Sequence, residues 1–354
     1  MDLGLNEAQQ MLKNSAQEFL QAECPDTYVR EMEDDERGYT AEMWQKLAEQ
    51  GWLGLIIPEK YGGGELEFQD LVVLLEEMGR HMLPGPYFST VVMGGMSIME
   101  AGTEDQKQEY LPRIAEGQII VTLALNEPSG RWDAEGIQLT ADKSGDGYVL
   151  NGTKLFVPNA HVSDNLVVAA RTGGGDTDIS LFIVSSQAKG LTQNLLKTIA
   201  SDRQSEVVFQ NVEVPSSALL GEKNTGWSTI EKVLQWGAIG KCAEMSGGGQ
   251  EVLDMTVEYA KQRTQFGRPI GTFQAIQHHC ANMATDVEGA KFITYQAAWK
   301  LSEGLPADRE VAMAKAWVSE AYRRVCALGH QSHGAIGFTK EHNMQLYSRR
   351  AKAA

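Results

Sequence analysis

Residues 119 to about 214 constrain the fold more than any other stretch. Short runs rich in β-branched residues follow one another there. They are Ile119-Ile-Val-Thr-Leu-Ala-Leu, Gly147-Tyr-Val-Leu, Asn165-Leu-Val-Val-Ala-Ala, Ile179-Ser-Leu-Phe-Ile-Val and Ser205-Glu-Val-Val-Phe, and each reads as a strand. Ser144-Gly-Asp-Gly and Gly173-Gly-Gly-Asp supply turns between them. No helix-length segment separates the strands, which argues against a doubly wound parallel sheet. An antiparallel barrel or sandwich is expected instead.

Both flanks read differently. Before Gly117, Leu12, Ala16, Phe19 and Leu20 share one helical face, and Trp44, Leu47 and Ala48 share another that stops at Gly51. Leu71-Val-Val-Leu-Leu-Glu-Glu-Met-Gly forms a third helix, and Thr103 with Gln106 three residues on marks the capped start of a fourth. Leu53-Gly-Leu-Ile-Ile-Pro is too short and apolar for a surface helix and is expected as a buried extended connection. After Gly226, helices are expected over about 227–261, 273–303, 308–329 and 340–353. The division is therefore an N-terminal helical domain over 1–118, a middle β domain over 119–225 and a C-terminal bundle of long helices over 226–354.

The net charge of −16 disfavours a nucleic-acid surface or an anionic membrane as partner. No run approaches the roughly 20 apolar residues of a membrane helix. The opening Met-Asp-Leu-Gly-Leu-Asn-Glu lacks a basic region and an apolar signal core, so a cytoplasmic location is expected. Cys24, Cys242, Cys280 and Cys326 form no CxxC and are expected as reduced thiols. His330-x-x-His333 and His278-His279 lack the company of a zinc site, and no metal is expected. The usual phosphate cradles are missing. Gly62-Gly-Gly reads as a flexible loop and Gly247-Gly-Gly as a close helix contact.

A stronger signal is a set of segments in fixed order. They are Asn126-Glu-Pro-Ser-Gly, Leu150-Asn-Gly-Thr-Lys-Leu-Phe-Val-Pro-Asn-Ala, Val212-Glu-Val-Pro, Tyr259-Ala-Lys-Gln-Arg-Thr-Gln-Phe-Gly-Arg-Pro, Gln331-Ser-His-Gly-Ala-Ile-Gly-Phe-Thr and Tyr347-Ser-Arg-Arg-Ala-Lys. Together they resemble the acyl-CoA dehydrogenase family of flavoproteins over essentially the whole chain. The fold class implied is α+β, with an N-terminal helical domain, a middle antiparallel β domain and a C-terminal bundle.

The resemblance implies FAD and an acyl-CoA thioester, a place in fatty acid or lipid metabolism, and an electron-transfer flavoprotein or similar acceptor as partner. The reaction implied is α,β-desaturation, in which a carboxylate takes the α-proton and the β-hydrogen leaves as hydride to the flavin N5. A homotetramer, or an α2β2 heterotetramer with a homologous subunit, is implied by FAD sites shared across a dimer interface.

By position, Arg263, Phe266, Gln274, Gln331 and Gly334 match contacts to the adenine half of a neighbour's FAD. Alternatives are a helix-end salt bridge for Arg263 and a helix-terminating turn for Gln331 and Gly334. Leu125, Asn126, Phe156 and Pro158 match the flavin half of the subunit's own site. That half departs from the family pattern. Asn126 stands for a threonine, Arg131-Trp132-Asp133 for a Gly-Ser-Asp, and Pro158 for a threonine whose hydroxyl approaches N5. Proline supplies neither that hydroxyl nor an N–H.

The base departs as well. Most members carry a glutamate beyond the position of Arg350-Ala-Lys, which this sequence, ending at Ala354, does not reach. The position used by others is Gly237. Glu244 lies seven residues on, within about 20° of the same helical face but about 10 Å along the axis. It is a candidate base or a helix-face carboxylate beside Lys241. Three readings stay open: a complete dehydrogenase with Glu244 as base, a partner subunit that completes a catalytic homologue's FAD site, or a non-catalytic scaffold for a CoA thioester or flavin.

Overall fold

The computed structural model describes residues 4–354; Met1–Leu3, part of the stretch read for an export signal, lie outside the described residues. The helices are α1 (Glu7–Glu23), α2 (Asp26–Asp34), α3 (Ala41–Glu49), α4 (Phe68–Arg80), α5 (Met96–Ala101), α6 (Glu104–Ala115), α7 (Gly226–Gln262), α8 (Gln274–Ser302), α9 (Asp308–His333) and α10 (Met344–Ala353). The strands are β1 (Val121–Ala124), β2 (Thr140–Ser144), β3 (Gly147–Pro158), β4 (Asn165–Arg171), β5 (Ile179–Ser185), β6 (Leu191–Leu196), β7 (Gln204–Pro215), β8 (Leu219–Leu220), β9 (Thr264–Gln265) and β10 (Arg268–Pro269). A π-helix over Phe88–Gly95 precedes α5. The described residues form two compact units, each gathered from separate stretches: residues up to 31, 67–83 and 238–354 in a helical unit, and 32–66 and 84–237 in a β-rich unit.

In the β-rich unit the sheet runs in the order β6-β7-β3-β2-β4-β5-β8, with β1 beside β4. Most neighbours are antiparallel, as expected, but β1–β4 and β2–β4 are parallel. Strands β4 and β5 explain why their sequences are apolar at nearly every position. Val167, Ala169, Leu181 and Ile183 face one core cluster, while Leu166, Val168, Phe182 and Val184 face another. Both faces are covered, so period-2 alternation is lost. The first cluster also takes Ile98 of α5 and Leu111 and Ile114 of α6.

Local chemistry sets several boundaries. The Thr103 hydroxyl accepts from Gln106 N while Gln106 Oε1 accepts from Thr103 N, the reciprocal cap read from the sequence. Leu53, Gly54, Leu55 and Ile57 are buried as expected, with Ile56 and Pro58 half-buried, but the stretch runs as successive turns rather than an extended strand, because the backbone folds back on itself from Leu55 N to Trp52 O and from Ile57 N to Gly54 O. Gly62-Gly-Gly is a fitted turn rather than a loose loop. Gly62 has φ 80°, and a Cβ at Gly63 would overlap the Ile57 carbonyl.

In the helical unit, α1 and α8 both pack on α4, and α9 packs on α8 and α10. Leu20, Leu71, Leu74, Tyr295 and Val318 are among its buried residues. Helices α4 and α7 cross backbone to backbone. A Cβ at Gly79 would overlap Glu244, and one at Gly247 would overlap the Glu76 carbonyl. Gly247-Gly-Gly is thus a close helix contact, as its composition implies.

Candidate functional site

In the helical unit the candidate adenine-side residues lie on a helix end, a hairpin and a helix-terminating turn, and Tyr259 near the first stacks on His333 beside the last. Arg263 follows the last turn of α7, and its side chain is exposed with no hydrogen bond or ion pair among the described residues. The alternative of a helix-end salt bridge therefore fails for Arg263. Immediately beyond, β9 and β10 pair as a two-residue hairpin whose turn is Phe266-Gly267.

Both turn residues have positive φ, 54° and 78°, the mirror-image turn that suits a hairpin's twist. Glycine meets that demand freely, whereas phenylalanine is strained there. The ring nevertheless stands 93% exposed, with Phe273 edge-on at 6.0 Å and Arg268 over Phe273. Strain and exposure together are costly for an aromatic unless another molecule covers it.

Gln274 opens α8 and is exposed. Gln331 is exposed on the last turn of α9, and Gly334 ends that helix at φ 66° with open space where a Cβ would stand. Close by, the histidines read as metal-free are stacking groups. His333 stacks on Tyr259 at 4.5 Å, and His330 stacks on Phe338 at 4.3 Å. Burial lowers the pKa of both, and for His330 the neighbouring His333 lowers it further.

The candidate flavin-side residues lie in the β-rich unit. Leu125 and Asn126 follow β1 and are half-buried. Phe156 sits at an irregularity in the β3–β7 pairing with φ 54°, and its ring is 54% exposed. Leu155 N donates to the Asn126 carbonyl at 2.8 Å, which holds this segment against β3. The Pro158 carbonyl accepts from the Thr122 hydroxyl at 2.7 Å. Position 158 therefore offers neither an N–H, a hydroxyl nor a free carbonyl.

In the Arg131-Trp132-Asp133 stretch, Arg131 is held by Asp133 at 2.7 Å and Glu135 at 2.6 Å, while Trp132 is 70% exposed. The Arg131 guanidinium, by hydrogen bonding, keeps the Asp133 carboxyl below the ordinary range.

The two base positions differ in surroundings. Gly237 is buried, and a Cβ there would lie 2.9 Å from the Met93 sulfur. Glu244 is partly exposed and paired to Lys241 at 2.6 Å. Its backbone is pinned by the Gly79 contact. Sequence reasoning passed over a pair within its own motifs. Lys154 and Glu127 form a buried ion pair at 2.7 Å; a lysine amid apolar strand residues and a glutamate before proline were the only signals.

These residues suit FAD in part. A free guanidinium, an open glycine turn and a strained exposed ring fit the phosphate and adenine portion. The flavin portion keeps an exposed ring and backbone donors without side-chain hydroxyls.

Family models described as acyl-CoA dehydrogenase N-terminal, middle and C-terminal domain match residues 6–118, 122–212 and 224–354. The chain belongs to the acyl-CoA dehydrogenase family. Among its relatives is a 3-(aryl)acrylate reductase of Clostridium sporogenes, 34% identical over 96% of this chain and 91% of that protein. The butyryl-CoA dehydrogenase structure from Megasphaera elsdenii matches at TM-score 0.92 and 31% identity, covering 100% of this chain and 94% of that one. A chain of the ChsE4-ChsE5 complex from Mycobacterium tuberculosis matches at TM-score 0.91 and 29% identity, covering 99% and 93%. The class is thus a flavin-dependent oxidoreductase whose cofactor is FAD. Among the described residues, no helix is long and apolar enough to cross a membrane.

Proposed function

We propose that this chain is the partner subunit of a heteromeric FAD-dependent acyl-CoA dehydrogenase acting on the α,β C–C bond of an acyl-CoA thioester. One observation carries the reading: the contrast between exposed candidate adenine-side residues and a flavin side on which Asn126 and Pro158 stand where the family pattern has hydroxyls. Arg263, Phe266, Gln274, Gln331 and Gly334 serve a neighbour's FAD. Leu125, Asn126, Phe156 and Pro158 face the chain's own, mostly through backbone and ring.

FAD, when bound, supplies the two-electron hydride acceptor. The chain's own groups bind and orient. A guanidinium at Arg263 offers a planar fork to a pyrophosphate, and Phe266 covers an apolar ring surface. Taking an α-proton needs an unpaired carboxylate in a dry pocket, where its proton affinity rises. Glu244, held by Lys241 at 2.6 Å, does not present one, and Gly237 has no side chain. In this reading the base is supplied by a homologous subunit that bears a glutamate, in an α2β2 assembly. The complex-forming relative from Mycobacterium tuberculosis supports that assembly.

The acceptor of the electrons is an electron-transfer flavoprotein or a similar partner. The working compartment is the cytoplasm, consistent with four free thiols. The functional division follows residues 1–118, 119–225 and 226–354.

The test is flavin content and acyl-CoA oxidation for the chain alone and with a glutamate-bearing homologue. Little FAD and little turnover alone, with both restored on co-assembly, is the expected result. A homomeric, FAD-replete and active protein would sink it.

A further inference from the structure

Behind the flavin-side backbone lies the buried pair Lys154 and Glu127, which the proposed function leaves unused. Lys154 is 0% exposed, and Glu127 is 6% exposed. The Lys154 ammonium donates to Glu127 Oε1 at 2.7 Å and to the Leu125 carbonyl at 3.1 Å. The Glu127 carboxylate also accepts from Gln138 N at 2.8 Å and Leu139 N at 3.0 Å. Burial pulls Lys154 down to about 8, against the opposing pull of Glu127.

Such a pair adds little stability over apolar residues of the same volume. It does, however, fix direction. Leu125, Asn126 and Glu127 are tied in succession: the first by Lys154, the second by Leu155 N, the third by the Gln138 and Leu139 amides. A trans peptide points its C=O and N–H in opposite directions. With the Leu125 carbonyl turned to the buried ammonium, the Asn126 N–H is aimed the other way. Among the described residues that N–H has no acceptor. On the other side of the pair, Lys154 and Leu155 lead directly into Phe156, held at φ 54°.

We propose that Lys154 and Glu127 are positioning residues for the cofactor, setting the Asn126 N–H and the Phe156 ring at the isoalloxazine of FAD. The inference rests on the flavin-side reading given above. It explains how a seat stripped of hydroxyls can still orient a flavin: the main chain is preset from behind. An aimed N–H favours the electron-rich reduced ring over the oxidised one, so it bears on potential as well as affinity.

The experiment uses the assembly as purified with FAD and compares K154M, E127Q and the double variant K154M/E127Q. K154M leaves Glu127 buried without its partner and risks misfolding; the uncharged double variant keeps shape and fold. In the double variant the FAD dissociation constant should rise at least tenfold and the flavin midpoint potential should fall. E127Q should show the same changes more weakly, since its amide oxygen still accepts from Lys154. A pair with a merely structural role would lower the melting temperature and leave affinity and potential unmoved, and that result overturns the proposal. Wild-type assembly that takes up no FAD at this seat overturns the flavin-side reading itself, and is seen before any variant is made.

Discussion

In the proposed reading, the adenine-side residues of the helical unit and the flavin-side residues of the β-rich unit would meet FAD by opposite means. The first displays side chains: Arg263 with no side-chain hydrogen bond or ion pair among the described residues, Phe266 strained and 93% exposed, Gln274 and Gln331 at helix ends. Little in their own unit holds those groups in place. The second displays backbone held from within, by a buried ion pair, an inward carbonyl and a left-handed Phe156. Side chains presented to a neighbour can be lost one at a time without harm to the fold. A preset backbone cannot, because its supports are also core.

The largest expected effect tests which chain supplies the base. Turnover of the chain alone should lie at least a thousandfold below that of the co-assembly with a glutamate-bearing homologue. Steady-state oxidation of acyl-CoA substrates measures it. Should Glu244→Gln in a homomeric, FAD-replete protein cut turnover a thousandfold without FAD loss, the contrast between the two faces no longer speaks to catalysis.

Next comes the side-chain face. Arg263→Ala should weaken FAD binding ten- to a hundredfold, the equivalent of about 1.5–3 kcal/mol for a lost charge-assisted contact. Its melting temperature should hardly move, since the exposed guanidinium makes no hydrogen bond or ion pair among the described residues. Flavin titration of the assembly gives the answer, and stoichiometric FAD at micromolar protein would refute the assignment.

The helix crossing beneath Glu244 should respond in the opposite way. Gly247→Ala puts a methyl into the Glu76 carbonyl and should cost about 1–3 kcal/mol of stability, as overpacking does. Chemical denaturation reads it, and wild-type stability would mean that the two helices separate easily.

The smallest effect concerns the hairpin tip. Phe266→Asn replaces a ring by a residue at ease with positive φ and should stabilise the free chain by about 1 kcal/mol while weakening FAD binding. A thermal melt and a flavin titration on one sample show whether the two change in opposite directions. If stability falls instead, the ring supports its own unit and the face is not built for a neighbour.

Much of this was legible before any coordinates. Alternating texture separated helix from strand because each element must bury a face at its own period. The reciprocal cap at Thr103 and Gln106, the strands over 121–124 and 165–171, and the long helices after Gly226 follow from short-range rules. The strands over 140–144 and 191–196 escaped notice because they are short and half-exposed, and their pairing with β3 and β7 is what makes them strands. The path through residues 53–58 turns where an extended connection is expected, since apolar composition records burial and not backbone direction.

The sequence by itself determined the family, the order of its elements and the identities of Arg263, Phe266, Gln331 and Phe156, because motifs and periodicity are local properties of a chain. Only the tertiary structure decided that the Arg263 side chain makes no hydrogen bond or ion pair among the described residues, that Phe266 is strained outward, that Met93 stands against Gly237, and that Lys154 reaches back 27 positions to Glu127. Each of these depends on where distant segments meet. That meeting is fixed by packing and by the need to satisfy buried polar groups, which no local pattern encodes.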